Sequence, residues 1–443
     1  MTARSYFPVR LTLVASFFAV LAAISAATTS ARGETPREWA TSNVEELVDL
    51  YQFFHTHPEL SFQEKETAAR LAKELKAVGV EVTEGVGGTG VVGMLKNGKG
   101  PLVMLRTDLD ALPVTELTGL AYASKVKVKD PSGVEVGVMH ACGHDIHITN
   151  LVAMARYFAT HKDQWAGTLM FLGQPAEERG SGAKKMLDDR LFERFGKPDF
   201  ALALHCDSNL ASDQVGCRGG FMLANVDSVD ITIRGRGGHG AMPHTTVDPI
   251  VTAAQLILSL QTIVSREMKP TDPAVVTVGS IHGGTKHNII GDTCTLQITV
   301  RSYSDDVRAH LLKSIQRKAD AISAAAGAQK PLIAISEGTP AMFNDEKLAS
   351  RMSEVFQREF GKDKVIPGEP SMGGEDFSQY GRAGVPILMF RVGTVEPTRL
   401  ERLKKLEAVP SLHSPLFYPD AEPTLITAAH SMIAATLELM KKP

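Results

Sequence analysis

The chain has 443 residues and a formal net charge of -3, and only 6% of its residues are aromatic. This length exceeds what one small core needs, so we expect two domains, or one domain interrupted by another. There is no basic run, and a near-neutral chain with few aromatic residues lacks the usual features of a nucleic-acid surface. We therefore expect no nucleic-acid partner.

The N-terminus has the features of an export signal. Two arginines precede an apolar run, residues 11–27, which small residues follow. The pattern predicts a signal peptide over residues 1–31, cleaved after Ala27 or Ala31. It also predicts an exported protein, periplasmic or secreted, with no membrane attachment after cleavage. The alternative is an uncleaved membrane anchor, because about 17 apolar residues are near the lower limit for a span.

Two amphipathic helices are predicted next, over residues 44–54 and 64–78, from apolar residues at helical spacing. His55 and His57 lie at the end of the first helix. We interpret them as a solvent-facing helix terminus, with metal ligation as the alternative.

A predicted strand at residues 101–107 leads directly into Asp108 and Asp110. A carboxylate in such a position commonly holds a metal-ligating histidine through its second ring nitrogen. A solvated turn is the alternative. Residues 125–135 are polar and predict a surface hairpin.

The side chains that follow predicted strands are those of a metal site. Residues 140–147 hold one cysteine and three histidines, Glu177 and Glu178 follow an apolar run at residues 167–173, and His205 follows another. Open α/β sheets place their sites at the carboxyl edge of the strands. Thiolate, imidazole and carboxylate together suit zinc, and also nickel, cobalt or manganese.

The pattern of predicted elements changes after Met222. Strands and helices follow in the order β-α-β-β-α-β, at residues 226–234, 248–267, 274–281, 293–302, 305–326 and 331–336. This order predicts a small ferredoxin-like domain inserted in a larger one. The predicted divisions are a first catalytic part, the insert and a second catalytic part, at residues 35–224, 225–338 and 339–443.

Four cysteines in an exported chain allow disulfides. Cys142 is better explained as a metal ligand, and Cys294 as a buried apolar residue. Cys206 and Cys217 flank a turn-like segment, so a disulfide between them is an alternative to two free thiols.

Taken in order, the motifs resemble those of the peptidase family M20 amidohydrolases. The branch that they resemble most contains hippurate hydrolases, N-acyl-amino-acid amidohydrolases and auxin-conjugate hydrolases. The resemblance covers nearly all of the chain after residue 43. The matching segments are residues 106–113, 139–147, 175–178, 204–205, 237–244, 288, 374–377 and 412–415.

The resemblance implies an α/β fold: a metal-dependent exopeptidase-like α/β catalytic domain with an inserted ferredoxin-like lid or dimerisation domain, and a homodimer formed through the insert. It also implies two divalent metal ions per subunit, zinc, manganese, nickel or cobalt. Cys142 would bridge both ions, and the further ligands would be His144, Glu178, His205 and His413. Relatives outside this branch use aspartate as the bridge, so the cysteine marks the branch.

The resemblance further makes Glu177 the general base and His239 a hydrogen-bond donor to the oxyanion in the partner subunit's site. The alternative for His239 is a tight glycine turn in which His244, or neither histidine, takes part. Asn288 and Arg301 are candidates for holding a substrate carboxylate, which a guanidinium binds through paired hydrogen bonds. Structural roles in strands are the alternative for both.

These expectations predict an enzyme that hydrolyses the amide bond of N-acyl or N-aroyl amino acids to a carboxylic acid and a free amino acid. A carboxypeptidase or dipeptidase of the same family is the alternative. A third hypothesis is an exported metal-binding protein without catalysis, against which the presence of Glu177 argues. One departure from the family pattern is Cys206, which follows His205 where an apolar residue is expected.

Overall fold

The computed structural model describes residues 1–2, 34–129 and 133–442. Nearly all of the predicted signal peptide, residues 3–31, lies outside the described residues, and so does the tip of the predicted hairpin at 130–132. Within the described parts, no helix combines the length and the apolar character that crossing a membrane requires.

The described strands form one large sheet, one four-stranded sheet and three two-stranded ribbons. In chain order they are β1 Glu81–Val86, β2 Gly90–Asn97, β3 Leu102–Asp108, β4 Lys127–Lys129, β5 Glu135–Gly137, β6 Gly167–Gln174, β7 Phe200–Ala211, β8 Val215–Cys217, β9 Gly220–Leu223, β10 Asn225–Arg234, β11 Gly238–His239, β12 Ala274–Gly283, β13 Ile289–Ile290, β14 Thr293–Ser302, β15 Gln329–Glu337, β16 Met342–Asn344, β17 Val365–Pro367 and β18 Ile387–Val395.

The described helices cover both faces of the large sheet and one face of the small one. In chain order they are α1 Pro36–Ser42, α2 Val44–Thr56, α3 Lys65–Ala77, α4 His144–Thr160, α5 Gly182–Asp188, α6 Leu191–Phe195, α7 Pro249–Thr262, α8 Asp305–Ala325, α9 Glu346–Phe360, α10 Ser378–Arg382, α11 Pro397–Lys405 and α12 Ala421–Leu439. A π-helical turn, Ile263–Glu267, extends α7.

The large sheet has the strand order β1-β2-β6-β3-β7-β18-β8-β17. Its four central strands, β6, β3, β7 and β18, run parallel, and each has a run of buried apolar residues, as burial on both faces requires. Their carboxyl ends therefore meet at one edge, where β3 pairs Asp108 with Gln174 of β6. The predicted α/β fold is confirmed.

One strand end differs from the prediction. His205 does not follow the end of its strand but lies inside β7, which runs on to Ala211 because β18 continues to pair with it as far as Val395. On the other side, β3 stops pairing with β7 at Ala203. His205 therefore borders the open edge although it belongs to a strand.

The insert is an antiparallel sheet of order β12-β14-β10-β15, and its elements follow as β10-α7-β12-β14-α8-β15. This is the predicted β-α-β-β-α-β arrangement. Alternate residues of β10, among them Ile231, face the apolar residues Leu256 of α7 and Leu311 of α8, which gives the insert its own core. Strand β12 lies at one edge of this sheet.

The interpretation of His55 as a solvent-facing residue is wrong. The end of α2 packs beneath the first turn of α4, so that only 1% of His55 is exposed. Its Nδ1 lies 2.7 Å from Asp145 Oδ2, and its Nε2 lies 3.2 Å from Glu116 Oε1. Sequence periodicity shows which helix face is apolar but not that a polar end is covered by another segment.

The disulfide alternative is also wrong, because Cys206 and Cys217 are both free and buried. Cys206 packs against Gly143, whose φ of +83° would be strained for other residues. A Cβ atom there would lie 2.8 Å from Cys206 Sγ. The Sγ of Cys217 faces the carbonyl of Ala349 at 3.6 Å.

Replacing His55 by glutamine is expected to destabilise the protein in a pH-dependent way. Burial alone would lower the pKa of His55, but its hydrogen bonds to Asp145 and Glu116 raise the pKa to about 9. Because this exceeds the unfolded value of about 6.5, the stabilisation is complete below that pH and is lost as the pH rises through about 9. The variant should lose about 3 kcal/mol of unfolding free energy at low pH.

Urea denaturation of wild type and variant at pH 6 and pH 10 measures this difference. An equal loss at both pH values would contradict the ion-pair account of His55.

Candidate metal centre and active site

Four chain segments meet at the carboxyl edge of the large sheet. The turn before α4 carries Cys142 and leads into His144, a 3-10 turn after β6 carries Glu177 and Glu178, and β7 supplies His205. The loop before α12 brings His413 to the same place. The backbone N–H of His413 donates to the carbonyl of Ala141, in the turn that carries Cys142, at 2.8 Å.

The local backbone at this edge is unusual in two places. Ala176, directly before the glutamate pair, has φ +49°, and His413 has φ +68°. Residues other than glycine adopt such values at an energetic cost, which the surrounding structure must offset. Hydrogen bonds do so here, since the N–H of Ala176 donates to Glu64 Oε1 at 2.8 Å.

The predicted ligand atoms fall into two groups that share one sulfur. One group is Cys142, His144 and His205, and the other is Cys142, Glu178 and His413; within each group the donor atoms lie within 4.8 Å of one another. Cys142 Sγ is 3.5 Å from His205 Nε2, and Glu178 Oε1 is 3.4 Å from His413 Nε2. The structure therefore brings together all five residues predicted as metal ligands.

The histidine tautomers fit metal binding. His144 Nδ1 donates to the backbone carbonyl of Asp110 at 2.7 Å, and His205 Nδ1 donates to that of Cys206 at 2.8 Å. A carbonyl only accepts, so both Nε2 atoms keep a free lone pair and face the site. His144 Nε2 and Glu178 Oε1 are buried and have no hydrogen-bond partner among the described residues.

The pKa shifts of the site residues also fit the binding of cations. Burial and the charge of Glu178 raise the pKa of the Cys142 thiol well above its ordinary value. Burial would lower the pKa of His144, but the carboxylates of Asp108 and Glu178 raise it to about 9. A bound divalent cation would take the place of both protons, because it favours thiolate and neutral imidazole. The residues present thus fit two cations that share Cys142.

Asp110 positions both glutamates. Its carboxylate accepts the backbone N–H groups of Glu177 and Glu178, each at 3.1 Å, and the hydroxyl of Ser61 at 2.6 Å. The sequence predicted that Asp110 holds a ligating histidine. The group that does so is its backbone carbonyl, on His144, rather than its carboxylate.

Asp108 binds a histidine that is not in either donor group. His147 Nδ1 donates to Asp108 Oδ1 at 2.7 Å, and its Nε2 accepts the N–H of Cys206 at 2.9 Å. With both nitrogens engaged, His147 fixes the strand next to His205. The other oxygen of Asp108 lies 3.6 Å from His144 Nε2.

A buried cluster behind Glu177 was not predicted. Arg106 donates to Asp108 Oδ2 at 2.8 Å, to Glu375 Oε1 at 2.8 Å and to Asp376 Oδ1 at 3.2 Å. Burial first, and the charge of Glu375 second, raise the pKa of Glu177 well above its ordinary value. Glu177 is thus a carboxyl group with a high proton affinity. The signal that could have revealed the cluster is an arginine inside an apolar strand.

The remaining predicted site residues separate into two places. Arg301 lines the same cavity of about 430 Å³ as Cys142 and Glu177, and it forms no ion pair with any described residue. His239 and Asn288 do not line this cavity. They are exposed on the β11–β13 ribbon of the insert, where the N–H of Gly240 donates to the carbonyl of Asn288.

Comparison with known proteins assigns the chain to a family. A model of peptidase family M20/M25/M40 matches residues 104–403, which is more than half of the 443 residues. The chain belongs to this family. The M20 chain is 38% identical over 336 residues to N-acetyl-L-cysteine deacetylase of Bacillus subtilis (strain 168), which covers 76% of this chain and 77% of that protein.

Two further relatives bear on the site of this M20 hydrolase. Thermostable carboxypeptidase 1 of Saccharolobus solfataricus is 34% identical over 88% of this chain and 94% of its own. A dinuclear metal-binding peptidase of family M20 from Bacillus subtilis has a solved structure with a TM-score of 0.74 and 29% identity, covering 90% of this chain and 99% of that chain. The fold of this M20 chain agrees with that of this dinuclear metal-binding relative.

Proposed function

We propose that the protein is a metal-dependent amidohydrolase that splits N-acyl or N-aroyl amino acids into a carboxylic acid and a free amino acid. The observation that carries this proposal is that Cys142 belongs to two donor groups, with Glu177 directly beside them. Similarity to a deacetylase of an N-acetyl amino acid supports it.

Two divalent cations, zinc, manganese, nickel or cobalt, would be held in this site. Cys142, which both donor groups share, would help to hold both ions; His144 and His205 would complete one group, and Glu178 and His413 would complete the other. When bound, the two ions lower the pKa of a water molecule and polarise the substrate carbonyl.

Glu177 acts as the general base. It lies beside the ligand Glu178, its backbone is fixed by Asp110, and its buried carboxyl group has a raised pKa. A carboxylate with such a proton affinity takes the proton of the attacking water and then passes it to the nitrogen of the leaving amino acid. Arg106 holds the neighbouring acids Glu375 and Asp376 in place through hydrogen bonds.

Arg301 holds the carboxylate of the amino-acid part of the substrate. Its side chain lines the cavity from the insert side. Within the described chain it forms no ion pair, and its Nε donates to the hydroxyl of Thr299 at 3.0 Å. A carboxylate ligand would supply paired charge-assisted hydrogen bonds.

His239 and Asn288 reach a site in a second copy of the chain, through a homodimer that the insert forms. The insert has exposed apolar side chains, with Val251 and Leu258 of α7 at 54% and 72% exposed and Ile281 of the edge strand β12 at 46%. Such residues on a helix and an unpaired strand edge favour association between copies. His239 would then donate a hydrogen bond to the oxyanion of the partner subunit's site.

Mixing subunits tests this arrangement. Glu177→Gln and His239→Ala proteins are each expected to be nearly inactive, and dimers formed from both should regain measurable hydrolysis, because one of their sites combines a wild-type base with a wild-type histidine. The matched control mixes Glu177→Gln with itself. Absence of any recovery in dimers shown by mass spectrometry to be mixed would refute action in the partner's site.

Export is also part of the proposal, with residues 1–31 as a cleaved signal peptide. The support is the apolar run at residues 11–27 and the small residues after it. N-terminal sequencing of the protein produced in its natural host should give a chain that starts at residue 28 or 32. An intact N-terminus in the membrane fraction would instead indicate an anchor.

A carboxypeptidase activity is the second candidate, favoured by the similarity to thermostable carboxypeptidase 1. A panel of N-acetyl, N-benzoyl and indole-acetyl amino acids and of dipeptides, supplied to the metal-loaded protein, separates the two. We expect release of amino acids from the acyl conjugates. Cleavage confined to the dipeptides would replace the proposed function by the peptidase alternative.

A further inference from the structure

A second cavity adjoins the metal centre. It has a volume of about 660 Å³, and none of its lining residues belongs to the insert. Three chain segments contribute consecutive residues to the two cavities, which therefore lie next to each other. The pairs, with the residue of the metal-centre cavity first, are His205 and Cys206, Met372 and Ser371, and His413 and Leu412.

Arg391 is the distinctive residue of this second cavity. It lies midway along β18 as the register partner of His205, so both side chains project from the same face of the sheet. Gly216 stands opposite, where a Cβ atom would approach Arg391 Cβ to 3.0 Å.

The guanidinium of Arg391 has no partner among the residues that the structure describes. It is half-buried, and no described residue forms a hydrogen bond or an ion pair with it. A partly desolvated charge without a partner is costly to the folded protein. An anionic ligand in the second cavity would supply that partner.

The other charges of the second cavity leave Arg391 available. Lys404 adds a second cation on the exposed side. Two acids, Asp207 and Glu369, also line the cavity, but neither lies within ion-pair distance of Arg391. Asp207 instead accepts the N–H of Asn209 at 2.8 Å, and Glu369 is exposed.

The position of this cavity relative to the metal centre indicates which part of a substrate it receives. Arg301 enters the metal-centre cavity from the insert, and in the proposed function it holds the carboxylate of the amino acid. The second cavity opens instead beyond His205 and His413, on the large domain. With the scissile amide at the metal centre and the amino acid on the Arg301 side, the acyl group extends into the second cavity.

We propose that Arg391 selects acyl groups that end in an anion. The preferred substrates are then N-acyl amino acids whose acyl group comes from a dicarboxylic acid, with one carboxyl group in the scissile amide and the other one free. This inference rests on the proposed function and deepens it by naming the class of acyl group. Arg391 is a specificity-determining residue in this account, and it takes no part in the bond-breaking step.

The test compares two acyl groups of the same shape. N-Succinyl and N-succinamoyl derivatives of one amino acid, the one released fastest from the acetyl panel, differ only in whether the far end is a carboxylate or an amide. The metal-loaded wild-type protein should have the higher kcat/KM for the succinyl compound. In Arg391→Leu the succinyl to succinamoyl ratio of kcat/KM should fall by about 10- to 100-fold, mainly through KM.

Two further variants support the comparison. Arg402→Leu removes an exposed arginine of α11 that does not line the cavity, and it should keep the wild-type ratio. Arg391→Gln removes the charge but keeps a polar side chain. It is the variant to measure if Arg391→Leu does not fold.

The outcomes separate the two proposals. A wild-type protein that hydrolyses both compounds equally well, or an Arg391 variant that loses activity equally on both, would overturn the role of Arg391 and leave the amidohydrolase function standing. Hydrolysis of neither compound, nor of the acetyl panel, would overturn the proposed function and the inference with it.

Discussion

Replacing Glu177 by glutamine is expected to lower kcat by about 10² to 10⁴-fold. The amide has the shape of the carboxylate but cannot accept the proton of the attacking water. The proposed ligand Glu178 should be unaffected, because Asp110 fixes both residues through their backbone N–H groups rather than through the side chain of Glu177. The fold and the metal content should therefore stay as in the wild type.

Steady-state kinetics together with metal analysis of the purified variant measures this effect. Glu193→Gln, at an exposed glutamate of α6, is the matched control and should keep wild-type kcat. Near-normal turnover by Glu177→Gln would remove Glu177 from the mechanism. A loss of activity accompanied by a loss of metal would instead make it a ligand.

The second large effect is expected from Cys142→Ala. This residue belongs to both donor groups, so its removal takes one ligand from each cation at once. We expect the metal content to fall below that of any variant at a single-group ligand such as His413→Ala. The kcat/KM value should fall by more than about 10³-fold, because the bound ions contribute several kcal/mol to the stabilisation of the transition state.

Cys217→Ala is the control for this variant. Cys217 is also buried in the large domain, but its sulfur faces a backbone carbonyl away from the donor groups. It should retain both ions and wild-type activity. A Cys142→Ala protein that still binds two ions per chain would show that the sulfur does not bridge them.

Much of the fold follows from periodicity. Strand β14 has the predicted bounds, Thr293–Ser302, and helix α8, predicted at residues 305–326, spans Asp305–Ala325. Both have apolar residues at the spacing of their kind of element, and α8 has a clear start, because the side chain of Ser304 accepts the N–H of Val307 at 3.3 Å. The order of such elements was enough to predict the ferredoxin-like insert.

The features that the sequence did not reveal all depend on contacts between distant segments. Arg106 and Glu375 are 269 residues apart, and no local pattern relates them. The burial of His55 depends on the packing of α4 over the end of α2. The extension of β7 beyond His205 depends on how far β18 runs beside it.

The tautomers of the site histidines also could not be predicted from the sequence. The spacing of Cys142 and His144 indicates a metal motif. Only the structure shows that carbonyl groups of Asp110 and Cys206 fix which ring nitrogen of each histidine faces the donor groups. These hydrogen bonds orient the Nε2 lone pairs of His144 and His205 toward the donor groups.

The most direct test of the account is a metal titration of the chelator-treated protein, with release of amino acid from an N-acyl amino acid measured at each step. The account predicts that hydrolysis is absent without metal, rises as cation is added and reaches its plateau at two equivalents of bound metal per chain. Full hydrolysis in the metal-free protein, or no hydrolysis with two ions bound, would contradict a metal-dependent amidohydrolase built on Cys142 and Glu177.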